Sequence, residues 1–147
     1  MRAVTIRQPW AYAIAHLGKD VENRTLAFAH RYRGEVAIHA GQGWSPLGAE
    51  TLKDLPVRED MPRGAVVAVA TVTEIHESGV GCKPPAGCSP WAMHRDVNGD
   101  RCLHLVLANV RVLPTPVQVS GFLGLWSLPA EVEAAVLEQL GGGVDVD

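Results

Sequence analysis

Apolar and polar positions change period several times along the chain, and each change marks an element. Residues 2–6 are β-prone and read as a first strand. Pro9 suits the first position of a helix, where its missing N–H is not needed. Trp10, Ala13, Ile14 and Leu17 then recur at helical spacing until Gly18 stops the run, which predicts a helix over residues 9–17. A turn and strand follow over residues 19–25, with Asp20, Glu22 and Arg24 on one face and Val21, Asn23 and Thr25 on the other. Residues 30–34 form a basic turn, and residues 35–40 a strand with Val36 and Ile38 on the same side. Ser45-Pro46 resembles a helix start, predicting a short helix over residues 47–55 that Pro56 breaks.

The second half is read in the same way. Residues 64–75 are apolar or small on both faces, the mark of a central strand. Residues 78–100 are rich in Gly, Pro and Cys and form a long connection, functional or mobile. Residues 103–113 make another two-sided strand, which Pro114 and Pro116 are expected to end. A further short strand falls within residues 117–128. Pro129 opens a last helix with Val132, Val136 and Leu140 as its buried stripe and glycines 141–143 as its stop. Five to six mainly antiparallel strands, with two to three helices at separated points, predict an α+β domain: a curved sheet or small open β-barrel, not a doubly wound parallel sheet.

The 147 residues suit one domain over residues 1–143, with residues 144–147 a disordered tail. Apolar residues make up 47% and charged residues 20%, which excludes a disordered chain. Apolar stretches such as residues 64–73 and 102–110 fall well short of the roughly 20 residues that span a bilayer, so no membrane partner is expected. Arg2 and Arg7 without an apolar run argue against export, and three cysteines, an odd count, favour a reducing cytoplasm.

Net charge is −3, which argues against a uniformly basic nucleic-acid binder. The charge is unevenly placed, however. Residues 1–40 hold six Lys/Arg against three Asp/Glu, whereas residues 41–100 and 101–147 each carry a net −3. Attraction for phosphate therefore belongs to the first forty residues. Within them, Lys19 sits in the turn before the strand that carries Glu22 and Arg24. Lysine, carboxylate and guanidinium converging there offer donors and an acceptor to the edge of a nucleobase or to phosphate. Arg7 and Gln8 lie at the helix entrance, and Arg31 and Arg33 extend the positive rim. Tyr32, flanked by two arginines, is the best stacking candidate; His39 ends a strand and either faces the pocket or is satisfied by its own backbone neighbours. The competing reading of Lys19, Glu22 and Arg24 is an exposed ion-pair network worth little.

The segments Thr5-Ile6-Arg7-Gln8-Pro9-Trp10-Ala11, Gly18-Lys19-Asp20-Val21-Glu22-Asn23-Arg24-Thr25, Tyr32-Arg33-Gly34 and Ile38-His39-Ala40 together resemble the ASCH (activating signal cointegrator homology) domain. The later Gly121-x-x-Gly124-Leu125-Trp126 segment is similar to members of that family as well. The family hallmark is Gly-x-Lys-x-x-Glu; here Lys19-x-x-Glu22 is intact and Gly18 stands one residue too close. The resemblance implies a PUA-like fold and a role with RNA, holding a base or single-stranded segment in the Lys19/Glu22/Arg24 pocket. It also implies an alternative, a small hydrolase in which Lys19 and Glu22 are catalytic: a ribonuclease, or an amidohydrolase on N4-acetylcytidine or a similar modified nucleoside. In such amidohydrolases a lysine, a threonine and a glutamate act together. Lys19 matches the lysine, but the threonine position is Glu22 here, and a carboxylate does not replace an attacking hydroxyl.

Trp10 and Trp126 fall among apolar neighbours and read as core; Trp44 and Trp91 lie in loop-like stretches and suit either stacking or covering. Cys82, Cys88, His94, Cys102 and His104 invite a zinc reading, but the spacing lacks the close Cys-x2–4-Cys pair of common structural sites. Free thiols and no metal or other cofactor are expected.

Overall fold

The computed structural model describes residues 1–55, 58, 60–79, 82 and 88–141. In chain order the elements are β1 (Arg2–Gln8), α1 (Trp10–His16), β2 (Val21–Arg24), β3 (Gly34–Trp44), α2 (Pro46–Thr51), β4 (Ala65–Glu77), β5 (Leu103–Gln118), β6 (Leu125–Ser127) and α3 (Ala130–Gln139). The strands form one six-stranded sheet in the order β2-β5-β4-β3-β1-β6. Only β1 and β3 run parallel; the other pairs are antiparallel.

This is the expected α+β class, but the barrel is not closed. β2 and β6 stand at opposite edges of the sheet and do not pair. The curvature comes from β5, whose register with β4 shifts three times. One shift also explains why Pro114 and Pro116 fail to end the strand: Ala68 pairs with Val112 and Val66 with Val117, so residues 113–116 bulge opposite Val67 alone. A bulge asks no ladder N–H of its residues, which is where proline is tolerated.

Alternation sends apolar side chains to both faces of the central strands, and each face has a core. Val4, Ile6, Val36 and Ile38 pack with Ala11 and Ile14 of α1, while Ala3, Ala37, Val66 and Val69 pack with Val132 and Val136 of α3. Full burial of each such Val or Ile contributes about 1.5–3 kcal/mol. The Ser45 hydroxyl caps α2 by accepting from the Gly48 N–H at 3.0 Å, as Ser45-Pro46 implied. The predicted tail at residues 144–147, and part of the 78–100 connection, lie outside the described residues. Among the described residues no helix is long and apolar enough to cross a membrane.

Candidate nucleic-acid interface

Helix α1 ends at Gly18, whose φ of +75° is a left-handed conformation that a side chain would strain. The turn returns the Lys19 N–H to the Ala13 carbonyl at 3.1 Å and tucks the lysine under the helix. Lys19 is only 2% exposed, and its Nζ donates to the Val21 carbonyl and, at 3.3 Å, to Glu22 Oε1. Glu22 Oε2 accepts from Arg24 NH1 at 3.2 Å, and the same guanidinium reaches the Thr5 carbonyl, also at 3.2 Å. The Trp10 ring lies 5.3 Å from Lys19 Nζ, and the Phe28 ring 5.1 Å from the Arg24 guanidinium carbon. The strand alternation predicted Glu22 and Arg24 on one face, and their ion pair follows from it. Lys19 and Glu22 are buried and Arg24 is half-buried, so the reading of an exposed surface network is overturned.

Glu22 and Arg24 form one wall of a cleft of about 880 Å³. Arg7, Trp10, Ser45, Met93, Asp96 and Val97 also line it, together with the exposed Phe122 and Leu123 at its lip. Lys19 is not on the lining: it stands behind Glu22 and holds that carboxylate from the rear. Arg7 is exposed and carries no ion pair among the described residues.

A second cavity, of about 820 Å³, shares Thr5, Gly41, Gln42, Phe122 and Leu123 with the first and contains His39. Here a chain of hydrogen bonds settles the imidazole. His39 Nε2 lies 2.7 Å from the Val119 carbonyl and donates to it, leaving Nδ1 to accept from Thr5 Oγ1 at 3.1 Å. Thr5 Oγ1 in turn accepts from Trp126 Nε1 at 3.0 Å. Burial holds the His39 imidazole below the ordinary histidine value, against a smaller upward pull from the Val119 bond. Gly121 lies directly over the pair: a Cβ there would stand 2.5 Å from His39 Cε1 and 2.6 Å from Thr5 Oγ1. The close approach that only glycine permits sets Phe122 and Leu123 at the lip.

Four of the residues expected in the interface lie elsewhere. Gln8 is 1% exposed and serves the fold, donating to the Pro62 carbonyl and accepting from the Tyr12 N–H at the start of α1. Arg31, Tyr32 and Arg33 precede β3, whereas the cleft meets that strand from Gly41 onward. Tyr32 packs on the core and its hydroxyl donates to the Glu35 carbonyl, which removes it as a stacking platform. Phe122 and Leu123, 63% and 96% exposed, went unnoticed in the sequence. Their only signal is two large apolar residues between two glycines.

Of the cysteines and histidines weighed for a metal, Cys82, Cys88 and His104 do converge, together with His76, which the spacing argument did not include. His94 is exposed, and Cys102 points at the Met93 carbonyl.

No family model and no curated protein matches the chain. Solved structures do. The crystal structure of ASCH from Zymomonas mobilis superposes with a TM-score of 0.63 at 14% identity, covering 93% of each chain. A tyrosine-to-phenylalanine mutant of that protein gives 0.60 at 12% identity, over 93% of this chain and 96% of the other. A serine-to-alanine mutant gives 0.58 at 14%, over 93% and 94%. The chain has the fold of these ASCH domain structures over nearly its whole length.

Proposed function

We propose that the cleft beside β2 binds single-stranded nucleic acid, with RNA preferred, and seats one nucleobase against Arg24. The observation that carries this reading is the anchoring of the Arg24 guanidinium. Glu22 and the Thr5 carbonyl hold one of its terminal nitrogens, and Phe28 supports its plane, so its remaining N–H groups face the cleft in a fixed direction. A fork held in this way loses little freedom when it meets acceptor atoms of a base or a phosphate. Exposed Arg7 adds a cation for the backbone, and Phe122 adds an aromatic face at the lip. Asn23, Thr25 and Gln42 place further polar groups on the lining, within the chemistry that reads a ribose 2′-hydroxyl.

The hydrolase reading has less support. Both hydrogen bonds found for Lys19 Nζ run to Val21 and Glu22, and Lys19 does not line the cleft. Fluorescence anisotropy with a labelled trinucleotide, as RNA and as DNA, tests the proposal. Affinity should fall with rising salt, and Arg24→Ala should weaken it by about tenfold or more, the worth of a charge-assisted pair. Binding that ignores both salt and Arg24→Ala overturns the reading. Cleavage of the RNA, or deacetylation of N4-acetylcytidine, that disappears in Lys19→Ala and Glu22→Gln would put the hydrolase in its place.

A further inference from the structure

At the far ends of β4 and β5, His76 and His104 are direct cross-strand partners. Cys82 and Cys88 return to the same point. One ligand atom from each of the four residues lies within 4.8 Å of all the others. Cys82 Sγ is 3.0 Å from His76 Nε2 and 3.2 Å from His104 Nδ1; for Cys88 Sγ the two distances are 3.5 and 3.7 Å. The two ring nitrogens are 3.2 Å apart.

These five distances, 3.0–3.7 Å, bracket the edges of a metal tetrahedron. Zinc bonds of about 2.3 Å to sulfur and 2.05 Å to nitrogen, at tetrahedral angles, require S···N edges of about 3.55 Å and an N···N edge of about 3.35 Å. The outward ring atoms supply a second, independent observation. His76 Nδ1 faces the Glu74 carboxylate, and His104 Nε2 lies 2.7 Å from the Met93 carbonyl. Each outward nitrogen faces an acceptor, which favours the tautomer with its proton there and the inward nitrogen free to act as a ligand. His76 Nε2 and His104 Nδ1 therefore stand at hydrogen-bond distance with no proton to share. Without an ion the Cys82 and Cys88 thiol protons are the donors that meet their lone pairs. A cation that displaces those protons meets two lone pairs and two sulfurs aimed at one point, and histidine ligands steadied by a carboxylate and a carbonyl are the usual outer arrangement of zinc sites.

We propose that His76, Cys82, Cys88 and His104 bind one zinc ion in a closed Cys2His2 site that fastens the connection between β4 and β5. Two thiolates and two imidazoles form a soft set that favours zinc over calcium or magnesium. Binding releases the two thiol protons and leaves the site formally neutral. His104 and Cys82 are 0% and 5% exposed, and four protein ligands leave no open position, so the ion is structural and not catalytic. What it secures is part of the cleft lining. Just after Cys88, the Trp91 carbonyl accepts from Asn23 Nδ2 at 3.0 Å and the Met93 N–H donates to Asn23 Oδ1 at 2.8 Å. Met93, Asp96 and Val97 then line the same cleft as Arg24. The zinc site itself stands whether or not the cleft binds RNA.

Elemental analysis of the full chain, purified under reducing conditions and dialysed against metal-free buffer, should find about one zinc per molecule. Cobalt-substituted protein should show the intense visible bands of a tetrahedral site and thiolate charge transfer in the near ultraviolet. Cys82→Ser and Cys88→Ser should each lower retained metal at least about tenfold, whereas Cys102→Ser should keep it. The cobalt spectrum of the wild-type chain decides the matter even where a variant fails to fold. Absence of bound metal, a cobalt spectrum without thiolate bands, or a Cys82–Cys88 disulfide in freshly purified protein would each overturn the proposal.

Discussion

The Lys19–Glu22–Arg24 triad and the His76–Cys82–Cys88–His104 cluster flank the same cleft, and they reconcile buried polar groups in different ways. In the triad the chain supplies both signs of charge, and each charged group meets a partner at hydrogen-bond distance. In the cluster the chain supplies two thiols and two imidazoles, and the proposed ion would take the place of the thiol protons. The triad should therefore be vulnerable to a single charge change, and the cluster to removal of an ion.

The largest effect expected follows from the triad. Glu22→Gln leaves the ammonium of Lys19 in a 2%-exposed position without its carboxylate. Losing one partner of a buried pair costs about 3–5 kcal/mol, read as the shift in urea midpoint at constant slope. Replacing both members, as in Lys19→Met with Glu22→Leu, should recover most of that stability, because an apolar pair of similar volume has no charge to leave behind. Recovery in stability without recovery of RNA affinity would separate the structural work of the triad from its anchoring of Arg24. A double variant no more stable than Glu22→Gln would show that the pair is not a self-contained unit.

The same contrast explains what could be read from the amino-acid order. Lys19, Glu22 and Arg24 fall within six residues of one turn and strand, so local rules of turn placement and alternation were enough to bring them together. The cluster draws on residues as far apart as His76 and His104. Those two meet because β4 and β5 pair with His76 opposite His104, and no periodicity along either strand records that partnership. Spacing along the chain therefore does not point to His76, and the bulge that admits Pro114 and Pro116 leaves no mark in it either. Gln8 failed differently: Arg7 and Gln8 are neighbours, but alternation along β1 turns one to the cleft and the other to the interior.

A third polar set, the Trp126–Thr5–His39–Val119 chain, is buried but uncharged, and so sharpens the comparison through pH. Burial lowers the folded-state pKa of His39 below its ordinary value. Above about pH 6.5 both folded and unfolded states hold a neutral ring, and the contribution of His39 is fully present. As pH falls below that value the unfolded state takes up the proton first, so stability declines until the folded-state pKa is reached. The contribution of a single group can be no steeper than about 1.4 kcal/mol per pH unit. Urea titrations between pH 7.5 and 5 should show a steeper loss for the wild type than for His39→Gln. Equal slopes would mean that His39 stays accessible to protons in the folded state.

The smallest effect belongs to the positive charge that the amino-acid order placed in the interface and the fold did not. Arg33 donates to the carbonyls of His30 and Tyr32 and is exposed, so Arg33→Ala should change stability by no more than about 0.5 kcal/mol. It is not among the residues lining the cleft, and physiological salt screens an exposed charge beyond about 8 Å. Trinucleotide affinity should then stay within about twofold of wild type, set beside the tenfold loss for Arg24→Ala. A longer single strand that reached the 31–33 turn would feel the change, and its affinity would drop with Arg33→Ala only once the oligonucleotide extends that far. If the trinucleotide itself is weakened as much by Arg33→Ala as by Arg24→Ala, the binding surface lies along the start of β3 and not in the cleft.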